Sequence, residues 1–401
     1  HIIFIKQGKC IMGSTSTIDI NLEAIKNNIN FVKTLVDLST IISAVIKGNA
    51  YGHGIPIMVN ALELAGINHF SVYSSAEAKT ALEAKSSSST IMIMGFIWEE
   101  DYKWIIENNI EFYISNIHSL KKAIEYSKMI GKKARIHIDV ETGMNRTGLS
   151  IKVLDEVTSL IKCNSDFLDV IGITSHFAGA ESIANYTRIK KQYSVYKQRV
   201  KYFKDKNIIP KIKHVASSAA AINYPHTHLD LVRIGILVYG YWPTKETFIN
   251  YIQKKKDNRN PLKRALSWNT QVVSLKEIPV GEFIGYGMNY QAQTKMQVML
   301  VPVGYTNGYS RSLSNMGHVL VRGFTAPIVG SVNMNMIICN ITNTPKIHIG
   351  DKVVLIGKQG NQQISFASFA EMNNSLNYEI LARLPENIER KLIDNSNHTK
   401  Q

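Results

Sequence analysis

One lysine in this chain stands where a reactive amine would be presented to a pocket. Lys47 directly follows the apolar run 41–46, and a loop of small and polar residues, Gly48 to Gly54, comes next. The run predicts a buried strand, so the amine would emerge at the strand end, partly shielded from water. A desolvated lysine can act as a Schiff-base nucleophile or as a proton carrier. Lys47 is therefore the first candidate for covalent or proton-transfer chemistry.

Other polar residues follow later apolar runs in the same way. Arg146, His176 and Ser218 come after the fifth, sixth and seventh runs, while Arg233 and the pair Gly235-Ile236 lie within the eighth. Hydroxyl and backbone N–H groups in such loops commonly bind phosphate, and Ser218 with the Gly235-Ile236 backbone is placed for that task. Taken alone, the stretch His214 to Ala220 would also suit a strand that ends with a helix N-cap serine, and His176 would suit a hydrogen-bonded core histidine.

The elements that must position these residues form a regular alternation. Eight apolar runs bounded by turn residues predict strands at 41–46, 69–73, 90–94, 111–114, 134–140, 170–175, 212–216 and 231–238. Helical periodicity separates them, for example at 55–65, 76–84, 117–130 and 186–203. Parallel strands joined by helices make either an open doubly wound sheet or a closed barrel, and eight repeats over roughly 200 residues favour the barrel. The residues after the strands would then converge at one mouth.

A change of composition marks the end of the predicted barrel. The stretch Lys254-Lys255-Lys256-Asp257-Asn258-Arg259 predicts a linker, and short strands with glycine turns follow it. We therefore predict an α/β protein with an N-terminal (β/α)8 TIM-type barrel over residues 14–250 and a mostly β C-terminal domain over 251–401. Residues 1–13 would be an extension outside the functional part. Strands are predicted at 298–303, 318–321, 326–329, 336–341 and 352–356, with a helical turn at 366–372.

The composition is that of an ordinary globular protein. Of the 401 residues, 45% are hydrophobic, and the formal net charge of +15 comes mainly from lysines spread along the chain. This pattern predicts a basic surface that attracts anionic substrates, not a nucleic-acid site. Cys10, Cys163 and Cys339 lie far apart, which predicts neither a disulfide framework nor a metal site and suits a reducing cytoplasm. No apolar run reaches the roughly 18 residues of a membrane span.

Several motifs together resemble the alanine racemases, which use pyridoxal 5'-phosphate (PLP). They are Ala44-Val45-Ile46-Lys47-Gly48-Asn49-Ala50-Tyr51-Gly52-His53-Gly54, Glu141-Thr142-Gly143-Met144-Asn145-Arg146-Thr147-Gly148, Ser175-His176-Phe177-Ala178 and Gly285-Tyr286-Gly287. The resemblance runs from about Ser14 to the region of Tyr378 and keeps the family's order. It implies a racemase that interconverts L- and D-alanine and so feeds D-alanine to bacterial peptidoglycan.

The resemblance also implies a role for each site residue. Lys47 would carry PLP as a Schiff base, and Arg233 would face the pyridine nitrogen with His176 beside it. Arg146 would contact the phenolic oxygen of the cofactor and, with Met334, hold the substrate carboxylate. The phosphate of the cofactor would be surrounded by Tyr51, Ser218, Gly235, Ile236 and Tyr378.

Racemisation needs one base on each face of the substrate, and Lys47 and Tyr286 suit these roles. In the family the lysine handles the proton of the D-enantiomer and the tyrosine that of the L-enantiomer. A tyrosine has an ordinary pKa of about 10, so a nearby positive charge such as Arg233 would favour its phenolate form. Because the family's tyrosine comes from a second chain, the resemblance implies a homodimer.

Two positions depart from the family's pattern. Asp139 stands where many members have a carbamylated lysine, and Asn335 stands where the family usually has aspartate. The acid at 139 would either replace the negative charge of the carbamate and orient Arg146, or pair with another base. The missing carboxylate at 335 would alter substrate preference without removing either proposed base.

Other functions stay open at this stage. A racemase of another or broader amino-acid specificity would carry the same motifs, since pocket volume is not fixed by them. The fold-related PLP decarboxylases are disfavoured because they typically place an acidic residue against the pyridine nitrogen, where this chain has Arg233. A non-enzymatic PLP-binding barrel would usually lack the second domain and Tyr286.

Overall fold

The computed structural model describes residues 14–255, 258–365 and 377–394. Within them the chain forms two units. The first, which we call the barrel unit, comprises Ala24–Lys47 and Met58–Arg264. The second, the β-rich unit, comprises 14–23, Gly48–Ile57 and 265–394. Residues 1–13 and the helical turn predicted at 366–372 lie outside the described residues.

Eight parallel strands form the barrel. In chain order they are Ile41–Val45, His69–Val72, Thr90–Ile93, Glu111–Ile114, Ala134–Asp139, Leu168–Thr174, Ile212–His214 and Leu231–Ile234. The eighth strand pairs with the first through Ile41 and Leu231, and a bridge between Ser217 and Arg233 joins the seventh and eighth. The predicted (β/α)8 barrel is therefore confirmed. Strands such as His69–Val72 are buried at every position, as expected for a sheet covered on both faces.

The helices follow from capping residues and amphipathic spacing. Ile117–Ile130 is the clearest case, because the side chain of Asn116 accepts a hydrogen bond from the Ser119 N–H and Gly131 ends the helix at φ 71°. The described helices are Leu22–Lys33, Ile55–Leu64, Ser75–Ala84, Tyr102–Glu107, Ile117–Ile130, Leu154–Cys163, Tyr186–Asp205, Ser218–Asn223, Lys245–Lys255 and Asn377–Ala382.

The segment expected as a linker is partly helical. Lys245–Lys255 forms an α-helix. Its Tyr251 packs against Phe31 and Trp242, with ring centroids 5.3 and 5.2 Å apart. This aromatic cluster buries one face of the helix, and its last turn carries Lys254 and Lys255, which complement the negative C-terminal end of the helix dipole. The charged run that begins at Lys254 favoured a loop in the sequence. The helix was missed because its packing depends on Tyr251, which contacts residues distant in sequence.

Two sheets build the β-rich unit. The strands are Thr17–Asn21, Leu266–Gln271, Ser274–Ile278, Met296–Val301, His318–Val321, Phe324–Pro327, Ile337–Asn340, Lys352–Gln359, Gln362–Ile364 and Glu389–Ile393. In the larger sheet Thr17–Asn21 lies between Leu266–Gln271, to which it is antiparallel, and Glu389–Ile393, to which it is parallel. The mostly β character of this part is confirmed, although the strands Leu266–Gln271, Ser274–Ile278, Gln362–Ile364 and Glu389–Ile393 were not predicted.

The structure was also searched for membrane-spanning helices, metal-ligand clusters and disulfides. Among the described residues no helix is long and apolar enough to cross a membrane. No group of potential metal ligands occurs in the same part of the chain. Cys163 and Cys339 are both free thiols, the first exposed and the second buried. Cys10 lies outside the described residues.

Candidate active site

The predicted residues of the barrel unit lie at the carboxyl ends of its strands. Lys47 is the second residue after the first strand, and His176 is the second after the sixth. Ser218 begins the helix that follows the seventh strand, and Gly235 comes directly after the eighth. In a parallel barrel these ends share one face, so the structure brings these residues to the same mouth.

The Lys47 amine lies in a positively charged environment. Burial lowers its pKa below the ordinary value, and the charges of Arg146 and Arg233 lower it further, while Glu77 acts in the opposite direction. Part of the side chain remains exposed. A lysine with a lowered pKa has a larger neutral fraction at neutral pH, and the neutral amine is the nucleophile.

The loop after Lys47 is a left-handed turn. Gly48, Asn49, Ala50 and Tyr51 have φ values of 62°, 50°, 54° and 51°. Such a conformation costs a non-glycine residue roughly 1–2 kcal/mol, so neighbouring contacts must hold it. The Gly52 N–H donates to the Gly48 carbonyl at 3.0 Å within the turn. Burial raises the pKa of Tyr51 to about 12, so its phenol is a hydrogen-bond donor at neutral pH.

The predicted phosphate loop is built around one buried hydrogen bond. The Gly235 N–H donates to Oγ of Ser218 at 2.9 Å. Ser218 is 7% exposed and Ile236 is 5% exposed. Because the hydroxyl accepts from Gly235, its own O–H stays available to donate. The serine expected at the helix N-cap is Ser217, although its side chain makes no capping hydrogen bond.

Arg233 is buried and held by five acceptors. Nη1 donates to Oγ1 of Thr174 at 2.6 Å and to Nδ1 of His214 at 2.5 Å, with the His214 carbonyl as a longer contact at 3.4 Å. Nη2 donates to the carbonyls of Ser175 at 2.8 Å and Val215 at 3.2 Å. These bonds occupy four of the five guanidinium N–H donors. Within the described residues, the donor left over is the Nε–H.

His176 is a neutral group beside the positive charges. Burial lowers the pKa of His176 to about 3, and the charges of Arg233, Arg146 and Lys47 add to this effect. His176 is therefore neutral at physiological pH. Its carbonyl accepts from Nε2 of Gln192 at 3.1 Å.

Arg146 itself is exposed on an ordered loop. The Glu141 carboxylate accepts hydrogen bonds from the backbone N–H groups of Gly143, Met144 and Asn145, the last two at 2.8 and 3.0 Å. Arg188 donates to the Gly143 carbonyl at 3.1 Å. The Glu141 carboxylate thus holds the conformation of the loop, a role that the sequence motif alone did not predict.

Asp139 is the last residue of the fifth strand and is 6% exposed. Burial raises its pKa to about 6, although a hydrogen bond with Thr147 and the charges of Arg233 and Arg146 act in the opposite direction. The carboxylate therefore lies within the electrostatic reach of both arginines. It is ionised at neutral pH, but less readily than an ordinary aspartate.

The remaining predicted residues belong to the β-rich unit. Tyr286 is 76% exposed between Gly285 and Gly287, which have φ values of 77° and 71°. Met334 is 54% exposed. Nδ2 of Asn335 donates to Oγ1 of Thr306 at 2.7 Å, a bond in which the amide serves as a donor and an ionised aspartate could not.

The backbone at Tyr378 lies in the helix Asn377–Ala382, while its side chain lies outside the described part of the chain.

An amine, two guanidinium groups and a neutral imidazole near the carboxyl ends of the strands of a (β/α)8 barrel are the arrangement expected of a barrel enzyme. The comparisons with known proteins specify the class. Residues 20–243 match the family model "Alanine racemase, N-terminal domain", and residues 265–392 match "Alanine racemase, C-terminal domain". The chain therefore belongs to the alanine racemase family, a family of isomerases.

Individual relatives agree with this assignment. Alanine racemase 1 of Caldanaerobacter subterraneus is 33% identical over 374 residues, covering 93% of each chain. The solved structure of alanine racemase from Clostridium difficile has a TM-score of 0.87 at 28% identity and covers 96% of this chain and 97% of that one. A structure of alanine racemase from Bartonella henselae, with covalently bound pyridoxal phosphate, has a TM-score of 0.78 at 26% identity, covering 95% of this chain and 100% of that one.

Proposed function

We propose that this chain interconverts L- and D-alanine with PLP held on Lys47. Membership of the alanine racemase family supports the substrate, and the Bartonella henselae relative with covalently bound pyridoxal phosphate supports the cofactor. The observation that carries the proposal is the Lys47 amine, whose lowered pKa and position at the barrel mouth suit a covalent bond to an aldehyde.

The donors at the mouth fit the chemistry of PLP. Its aldehyde needs a neutral amine, and the lowered pKa of Lys47 favours that form. Its phosphate needs hydrogen-bond donors, which the hydroxyl of Ser218, the phenol of Tyr51 and the backbone N–H of Ile236 would supply, with Gly235 and Tyr378 as further neighbours. The Nε–H of Arg233 would face the pyridine nitrogen, with His176 beside it. When bound, PLP supplies an electron sink for the electron pair left by the α-proton.

Arg233 would limit how strongly PLP withdraws electrons. A guanidinium keeps its protons because its pKa exceeds about 12, so it donates a hydrogen bond without transferring a proton. Arg233 would thus leave the pyridine nitrogen unprotonated, which would restrain side reactions such as transamination. A decarboxylase of this fold would typically present an acid at this place, and the buried Arg233 disfavours that function.

Two bases on opposite faces of the substrate would move the proton. The neutral amine of Lys47 would handle the proton of D-alanine at Nζ, and the phenol oxygen of Tyr286 would handle that of L-alanine. We propose that Tyr286 acts in the site of a second copy of the chain, so that the enzyme is a homodimer. The exposure of Tyr286 in the single chain supports this role, since an exposed aromatic residue on a glycine turn is free to enter a neighbour's site.

Substrate selection would rest on the carboxylate of the amino acid. Arg146 would bind this carboxylate and the phenolic oxygen of PLP, with Met334 beside the substrate. Arg146 is exposed on an ordered loop, so its charge is accessible to a small anion. The product D-alanine would serve peptidoglycan synthesis in the cytoplasm, without a nucleic-acid or membrane partner.

The test combines cofactor absorbance with racemisation measured by chiral chromatography. Wild-type protein should bind PLP and racemise both alanine enantiomers. Lys47→Ala should lose the absorbance of lysine-bound PLP together with activity, whereas Tyr286→Phe should keep the absorbance and lose at least about 100-fold in activity, the usual worth of an acid–base group. If both variants kept full activity in both directions, the two-base assignment would be wrong.

The substrate needs a separate test. Serine, lysine and arginine enantiomers should be assayed in parallel, and negligible turnover of alanine would contradict the proposed substrate.

A further inference from the structure

A line of hydrogen bonds runs through the barrel interior from Arg233 to Glu111. Nη1 of Arg233 is 2.5 Å from Nδ1 of His214, and Nε2 of His214 is 2.9 Å from Nδ1 of His137. Nε2 of His137 is 2.9 Å from Oε2 of Glu111. The two imidazoles are fully buried, and Glu111 is 2% exposed. The four side chains come from the eighth, seventh, fifth and fourth barrel strands, and we call them the barrel relay.

The direction of every bond in the barrel relay follows from its first donor. A guanidinium has no lone pair to offer, so Nδ1 of His214 must accept from Arg233. Neutral His214 then carries its proton on Nε2 and donates to Nδ1 of His137. His137 in turn carries its proton on Nε2 and donates to Glu111, an anion that only accepts. Both imidazoles are thus neutral Nε2–H tautomers that point toward the carboxylate.

The electrostatics agree with this assignment. Burial lowers the pKa of His214 well below its ordinary value, and burial likewise lowers that of His137. Burial alone would raise the pKa of Glu111, but the hydrogen bonds from His137 and His69 lower it below its ordinary value. The other carboxylate oxygen of Glu111 accepts from Nη2 of Arg135 at 2.6 Å. Glu111 is therefore an anion that anchors the far end.

The sixth strand leaves space for this arrangement. A methyl group at Gly172 would lie 2.2 Å from Nδ1 of His137, the atom that accepts from His214. Any side chain at position 172 would displace the His137 imidazole. The absence of a side chain at position 172 therefore makes room for the hydrogen bond between His137 and His214. This fit indicates that the barrel accommodates the histidine pair specifically.

We propose that Glu111 is a positioning residue that acts on Arg233 through His137 and His214. The carboxylate selects the tautomer of His137, and His137 selects that of His214, so that His214 presents a lone pair to Nη1 of Arg233. With Nη1 and Nη2 engaged, the guanidinium has one orientation, in which the Nε–H is the donor that remains for a ligand. This proposal rests on the proposed function in one respect, namely that the ligand is the pyridine nitrogen of PLP.

The tautomers can be measured without cofactor or substrate. Nitrogen-15 NMR of the apoenzyme, with histidines labelled and assigned through His137→Gln and His214→Gln, should show both imidazoles as neutral Nε2–H tautomers between pH 6 and 8. A protonated ring or an Nδ1–H tautomer at either residue would overturn the proposal. This result is independent of racemase activity, so failure of the proposed function would not be confused with failure of the barrel relay.

Variants then test whether the relay acts on Arg233. Glu111→Met removes the acceptor, and Gly172→Ala displaces His137 without removing any polar group. Each should lower kcat about tenfold with the KM for alanine changed less than about twofold, and should shift the absorbance of bound PLP. Glu111→Gln keeps a carbonyl acceptor and should fall between these variants and wild type.

The matched control is Thr158→Val. Thr158 is a buried hydroxyl on the helix Leu154–Cys163 whose Oγ1 donates to the Asp155 carbonyl at 3.0 Å, and it does not belong to the barrel relay. It should lower stability but leave tautomers, PLP absorbance and kcat unchanged. If Glu111→Met fails to fold, Gly172→Ala decides the question. Unchanged kcat and absorbance in Gly172→Ala, or a loss of kcat in Thr158→Val equal to that in the relay variants, would reduce the relay to a structural role and overturn the proposal.

Discussion

Arg390 donates two hydrogen bonds to the carbonyl oxygen of Gly52, from Nε at 3.2 Å and from Nη2 at 3.0 Å. Its Nη1 donates to the carbonyls of Pro385, Glu386 and Ile388 at 2.7, 2.9 and 2.6 Å. All these residues belong to the β-rich unit. One guanidinium therefore ties the end of the left-handed turn to the segment that leads into the strand Glu389–Ile393.

Replacement of Arg390 should destabilise the protein. Arg390→Met would leave several carbonyls without their donor and release the strained turn, and we expect a loss of about 3 kcal/mol in the free energy of unfolding. Urea denaturation of the apoenzyme measures this loss. The matched control is Arg383→Met, because Arg383 is exposed and forms an ion pair with Glu379, an interaction worth less than about 1 kcal/mol. Equal losses in the two variants would contradict a special role for Arg390.

Ser218 should contribute to PLP affinity through its hydroxyl. Ser218→Ala removes one donor to the phosphate and the acceptor of the Gly235 N–H, so the Kd for PLP should rise about tenfold or more. Titration of the apoenzyme with PLP, followed by absorbance, gives the Kd. Ser217→Ala is the neighbouring control, since the Ser217 side chain makes no capping bond to the helix N-terminus. A Kd that rises equally in both variants would locate the phosphate elsewhere.

Buried neutral histidines should make stability fall in mild acid. Burial lowers the pKa of His53 to about 4, so between pH 6.5 and pH 4 the unfolded chain binds a proton that the folded chain does not. His53 therefore stabilises the fold fully above pH 6.5, and this contribution is lost as the pH falls, by about 1.4 kcal/mol per pH unit. His53→Gln should flatten the slope of unfolding free energy against pH by that amount. His118→Gln, at an exposed histidine, is the control, and an equal change of slope in both variants would contradict the assignment to His53.

Asp139 should act in the opposite direction. Its folded pKa of about 6 is above the ordinary value of 3.8, so the folded chain binds a proton more tightly between pH 3.8 and pH 6. Its contribution is present below that window and is lost as the pH rises to 6, at a cost of about 3 kcal/mol once the buried carboxylate is ionised. The stability of Asp139→Asn relative to wild type should therefore increase from pH 4 to pH 7. A constant difference across this range, measured by urea denaturation, would show that the group is not perturbed.

Much of the barrel and its mouth could be predicted from the sequence. Each strand of the barrel unit is buried on both faces, so it appears as a short apolar run, and the polar residue that ends it appears as a break in that run. The bounds of Glu111–Ile114 and Ile117–Ile130 were predicted to the residue, because turn residues and caps mark both ends. The β-rich unit was predicted less completely, since strands such as Ser274–Ile278 are largely exposed and carry charged residues.

The sequence by itself determined the element types, the barrel and the set of polar residues at its mouth, because these depend on local periodicity and on strand direction. Only the tertiary structure decided which distant residues support that set. Arg390 bonds Gly52 across 338 positions, and no pattern at either site predicts the partner of the other. Glu111 and Arg233 are joined through two histidines inside the barrel. Such hydrogen bonds form between side chains that the folded chain brings close together. The spacing of the residues in the sequence does not indicate which of them will be neighbours.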